Sequence, residues 1–114
     1  NLLVSHYNDG RLRVSLTEDD FDKGVQPSVD VTMSSVAETV DDPLVGVVLT
    51  GMGSDGAAGI RDLHRVGAYT IAESEESSVI FGMPKRAIET GCIDAVHRLE
   101  DVAADVLDSV QEEP

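Results

Sequence analysis

The chain has 114 residues, with 22 acidic side chains against 8 basic ones and a formal charge of −14. That length makes one domain or part of one, and a field of this sign turns away nucleic-acid backbones and anionic membrane surfaces. A single cysteine, Cys92, excludes an intrachain disulfide and a cysteine-rich metal site.

Residues 2–7 and 11–16 are expected to form two strands joined by Asn8-Asp9-Gly10, whose residues tolerate positive φ, so residues 2–16 make a hairpin. Residues 17–27 are an acidic connection containing Gly and Pro. From residue 28 the pattern becomes αβαβαβα. Ser28 is the expected N-cap of a helix with Asp30 in its first turn and Val29, Met33, Val36 and Val40 along one stripe. Asp41-Asp42-Pro43 ends it. The apolar run Leu44–Leu49 predicts a strand covered on both faces. It is far short of the roughly 20 residues that cross a membrane. A tight loop follows, then a helix over 57–66 with Ile60 and Leu63 inward, stopped by Gly67. Residues 69–72 are a short strand and 73–78 a polar loop. Pro84 opens a helix that ends at Gly91, Ile93–His97 is the last strand, and Leu99–Val110 the last helix. Strands alternating with helices imply a three-layer αβα fold with a mainly parallel, Rossmann-like sheet. Sites in such sheets lie at the C-terminal ends of the strands.

The loop Thr50-Gly51-Met52-Gly53-Ser54-Asp55-Gly56 occupies such an end. Three glycines there imply positive φ or close backbone approach. Gly51, Gly53 and Gly56 fit a dinucleotide-binding spacing, and Glu73, Glu75 and Glu76 stand about 20 residues on, where a ribose would be met. Against this, Asp55 would place a carboxylate where the pyrophosphate belongs. In a second reading the glycines present Asp55 to a crevice, as the carboxylate that orients a catalytic histidine. In a third, Asp55 simply caps the helix it precedes. The residues alone leave all three open.

The segment Thr50–Ala57 resembles the signature of the chemotaxis protein-glutamate methylesterases (CheB-type). Pro27-Ser28-Val29-Asp30-Val31, Gly67-Ala68 leading to Thr70-Ile71-Ala72, and Val79–Pro84 followed by Ala87-Ile88 agree with that family in order and spacing. The resemblance implies a cytoplasmic enzyme that hydrolyses glutamate γ-methyl esters on chemoreceptor cytoplasmic helices, in many members also deamidating glutamine. It implies a Ser-His-Asp triad without metal or organic cofactor. Asp55 aligns with the triad aspartate, and Met52, between Gly51 and Gly53, with a residue lining the site near the oxyanion. The family's serine and histidine motifs precede everything matched here, as does its phosphorylated receiver domain. Residues 1–114 are thus expected to be the C-terminal portion of one catalytic domain, inactive alone. The absence of an initial methionine at Asn1 fits that expectation. Alternatives are a receptor-docking module without catalysis, or the dinucleotide domain above. Val25-Gln26 replaces a basic pair of many relatives. The dispersed acids fit a protein kept soluble in concentrated salt. His6, His64, His97 and Cys92 are expected to be surface or packing residues, and Ser77 and Ser78 loop residues facing the crevice.

Overall fold

The N-terminal hairpin and the first helix form one unit held by hydroxyls. The computed structural model describes residues 1–17 and 28–111, so the connection read over 17–27, with Val25-Gln26, lies outside the described residues beyond Thr17. Strands β1 (Leu2–His6) and β2 (Leu12–Leu16) pair antiparallel from Leu2↔Leu16 to His6↔Leu12. Gly10 takes φ 91° in the turn, the conformation its sequence context predicts. Helix α1 (Val29–Thr39) begins where expected, with Ser28 Oγ accepting from Val31 N at 3.3 Å. Thr32, Ser35 and Thr39 share one face of α1 at helical spacing. Thr32 Oγ1 donates to Leu2 O, Ser35 Oγ accepts from Val4 N, and Thr39 Oγ1 donates to Val4 O, at 2.6, 2.9 and 2.9 Å. On the edge of β1 that β2 leaves unpaired, the helix thus satisfies both backbone groups of Val4 and the carbonyl of Leu2.

The other face of α1 packs on α2 (Ala57–Arg65). Gly59 makes this approach possible, since a Cβ there would lie 2.6 Å from Met33 Cβ. Strands β3 (Val45–Val48), β4 (Tyr69–Glu73) and β5 (Ala95–His97) form a parallel sheet in that order. Helices α2 and α3 (Met83–Glu89) cover one face, where Val48, Ile60 and Ala87 form a buried cluster flanked by Met33, Met83, Cys92 and Ile93. Helix α4 (Leu99–Val110) takes the other face, burying Val102. The structure is the expected αβα sandwich with its hairpin.

Two expectations need correction. The Leu44–Leu49 run is not buried on both faces: Gly46 and Val48 are buried, Val45 and Val47 are half-buried, and Leu49 is exposed. Among the described residues β3 is an outermost strand, so it has neighbours on one side. The last strand is shorter than 93–97. Asp94 Oδ2 instead caps Thr70 N at 3.0 Å, while Asp94 N donates to Thr70 O at 2.9 Å. Among the described residues no helix is long and apolar enough to cross a membrane.

Candidate active site

The loop between β3 and α2 is pinned in two halves by two different partners. Its first half is tied to the segment before α3. Gly51 N donates to Ile80 O at 3.0 Å, and Gly51 O accepts from Gly82 N and Met83 N at 3.0 and 2.8 Å. Thr50 Oγ1 accepts from Ile80 N at 2.8 Å and donates to Ile80 O at 3.1 Å. Gly82 lets the segments meet, because a Cβ there would lie 2.7 Å from Gly51 O and 3.1 Å from Gly53 N. Gly53 takes φ 96° and Met52 stands at the tip, 77% exposed. Beneath the loop, the carboxylate of Glu73 accepts from Thr50 N at 2.8 Å and from Ser77 Oγ at 2.6 Å.

The second half is tied to α1. Asp55 Oδ1 accepts from Ser28 Oγ at 3.2 Å and Asp30 N at 2.9 Å, and its Oδ2 accepts from Val29 N at 2.8 Å. Asp55 thus serves the free amides of α1, not those of the helix it precedes. Helix α2 has Gly56 at its N-cap, at φ 106°, with no capping side chain of its own. Its amides are served from α1: Asp30 Oδ1 accepts from Gly56 N at 2.9 Å and Gly59 N at 2.7 Å. Each helix start receives an aspartate from the other, an arrangement that suits two facing positive dipole ends. Asp30 was legible only as a first-turn acid. Its crossing to α2 depends on how the helices pack.

These bonds weigh against the dinucleotide reading, for a reason other than the one expected. The carboxylate at the α2 N-terminus is Asp30, not Asp55, and it already takes the amides a pyrophosphate would need. Glu73, one of the acids spaced for a ribose, is sealed at 1% exposure. Ser77 and Ser78 do not present free hydroxyls: Ser77 Oγ donates to Glu73 and accepts from Leu99 N at 2.9 Å, and Ser78 Oγ donates to Ser74 O at 2.8 Å. His6 bonds the carbonyls of Gly10 and Thr39, and His64 is exposed on α2. His97 Nε2 lies 2.8 Å from Asp105 Oδ2, to which Tyr69 Oη donates at the same distance. The Tyr69 hydrogen bond holds the Asp105 carboxyl below its ordinary range, aided by His97, and the same bond pushes the Tyr69 phenol up. Those three residues lie on the α4 side of the sheet.

Comparison with known proteins gives a consistent result. The family model described as CheB methylesterase matches residues 1–106. The protein-glutamate methylesterase/protein-glutamine glutaminase of Haloarcula marismortui is 54% identical over 110 residues, covering 96% of this chain and 30% of the relative. The protein of the same name from Natronomonas pharaonis is 50% identical over 113 residues, with 99% and 32% covered. The crystal structure of the Thermotoga maritima CheB methylesterase catalytic domain matches with TM-score 0.87 at 34% identity, covering 94% of this chain and 56% of that one. This chain spans 30% and 32% of the length of those two curated relatives. With the family model covering nearly all of its length and the αβα architecture shared, the chain belongs to the CheB methylesterase family.

Proposed function

We propose that this chain is the C-terminal portion of a chemotaxis protein-glutamate methylesterase catalytic domain, with Asp55 as the carboxylate of a Ser-His-Asp triad. The observation that carries the reading is the state of the Asp55 side chain. An ionised carboxylate offers about four acceptor positions. Three are filled, two on Oδ1 and one on Oδ2. The remaining position is free for an imidazole N–H, and the three fixed donors keep the group from swinging away.

In the proposed reaction, a serine outside this chain attacks the γ-carbonyl of a glutamate methyl ester, and a histidine takes its proton. Asp55 holds that imidazole in the correct tautomer and stabilises the imidazolium. The histidine then returns the proton to the leaving methoxide, and water cleaves the acyl-enzyme. Met52 N–H has no acceptor among the described residues, so it is available to the oxyanion, with Gly51 and Gly53 shaping the turn around it. The name shared by the relatives extends the same chemistry to glutamine side chains, where ammonia leaves instead of methanol. The proposed partners are the cytoplasmic helices of methyl-accepting chemoreceptors, the upstream half of the catalytic domain and a phosphorylated receiver domain. The proposed setting is the cytoplasm.

The test is hydrolysis of a methyl-esterified receptor fragment by the full-length protein. Asp55→Ala is expected to lower kcat by about 10⁴-fold, the cost seen for a triad aspartate in another hydrolase. Unchanged turnover in a folded Asp55→Ala protein would remove the assignment. Residues 1–114 alone are expected to release no methanol, since oxyanion donors without a nucleophile retain little catalysis.

A further inference from the structure

We infer that Asp30 is a positioning residue for Asp55, gripping it from both sides so that Oδ2 is the oxygen that receives the imidazole. The inference rests on the reading of Asp55 as a triad carboxylate. The backbone N–H of Asp30 donates to Asp55 Oδ1 at 2.9 Å, which holds the side chain. The side chain of Asp30 accepts from Gly56 N at 2.9 Å and Gly59 N at 2.7 Å, which holds the backbone immediately after Asp55. One residue thereby fixes both where Asp55 is rooted and where its carboxylate ends.

The need for this grip follows from the local chain. Gly56 adopts φ 106° and α2 has no capping side chain of its own, so the turn carrying Asp55 gets its tie from elsewhere. Gly53, also at positive φ, adds a second flexible joint on the other side of Asp55. Without the Asp30 carboxylate the turn would keep its glycines and the bond from Asp30 N to Asp55 Oδ1, and lose the bonds from Gly56 N and Gly59 N. The choice of oxygen follows from occupancy. Oδ1 already accepts twice, from Ser28 Oγ and Asp30 N, while Oδ2 accepts once, from Val29 N. The free acceptor position is on Oδ2.

Misplacement of a catalytic group by about 1 Å costs on the order of 10²-fold in rate. In the full-length protein, Asp30→Ala is therefore expected to lower kcat for methyl-ester hydrolysis by about 10²-fold while KM stays within about threefold. Asp30→Asn keeps an oxygen that accepts from both amides and is expected to retain kcat within about threefold of the parent. Asp30→Glu keeps the charge but overshoots the two amides, and is expected to lose roughly tenfold or more. A folded Asp30→Ala protein with unchanged kcat overturns the inference, as does an Asn variant no more active than the Glu variant. If Asp30→Ala does not fold, the order of Asn over Glu decides alone. Asp55→Ala run beside them separates the two claims. Full activity in that variant sinks the triad reading, whereas its inactivity combined with unchanged kcat in Asp30→Ala sinks only the role of Asp30.

Discussion

The amide of Thr50 donates to Glu73 Oε1 at 2.8 Å, joining the first residue of the site loop to the end of the neighbouring strand. Glu73 is 1% exposed, and its other oxygen takes the hydroxyl of Ser77. Removing this carboxylate leaves the part-buried Thr50 amide unpaired and opens a void where Glu73 was. Glu73→Ala is expected to cost about 2–4 kcal/mol in urea unfolding. Glu73→Gln keeps an acceptor for Thr50 N, and Ser77 can turn its hydroxyl to receive the new N–H, so its cost is expected to be about 1 kcal/mol or less.

Two glycines at the site should differ in their tolerance of a methyl group. At Gly82 the new Cβ meets backbone, 2.7 Å from Gly51 O. At Gly51 it meets the flexible Met83 side chain, with Sδ at 2.6 Å. The thioether can move aside, and the carbonyl cannot without breaking the bonds it accepts. Gly82→Ala is expected to lose about 1–3 kcal/mol in thermal unfolding, and Gly51→Ala less.

The Tyr69–Asp105–His97 cluster sets a pH window. Asp105 titrates below 3.8 in the folded chain, so its stabilising effect is full above that value and is lost as pH falls through the lowered folded value. Tyr69 titrates above 10.0, so its effect is full below that value and is lost as pH rises through the raised folded value. Tyr69→Phe removes the largest cause of both shifts. The Asp105 carboxyl is then expected to move up toward its ordinary range, followed by carbon-detected NMR titration of Asp105 Cγ.

With a net charge of −14, repulsion should dominate the salt response. The arginine–carboxylate pairs among the described residues are largely exposed, at 2.8–3.1 Å, and such pairs contribute little. Raising KCl from about 0.1 M to about 1 M shortens the screening length from roughly 10 to 3 Å. The unfolding temperature is expected to rise across that range in differential scanning calorimetry. A fall would mean that attractive pairs outweigh the like-charge field.

What could be read from the sequence was what neighbouring residues decide. Asn8-Asp9-Gly10, Ser28, Gly67, Pro84 and Gly91 mark turns, caps and helix ends through their own backbone chemistry, and the elements start and stop beside them. Asp55 stood out because three glycines and a family signature surround it. Asp30 and Glu73 did not stand out as anchors, because their roles depend on residues 23–29 positions away brought close by packing. The two-sided burial expected of Leu44–Leu49 failed for a related reason. An apolar run reports on composition, while exposure depends on what lies beside the strand.

The hydroxyls that α1 lends to β1 have a consequence for self-association. Both backbone groups of Val4 are already committed, as is the carbonyl of Leu2. At its centre that flank therefore lacks the free backbone groups on which another polypeptide could add a strand. Alanine at Thr32, Ser35 and Thr39 would raise helix propensity yet uncover a row of vacant donors and acceptors. The three hydroxyls take up strand-pairing groups at a place where helix preference alone would have chosen other residues.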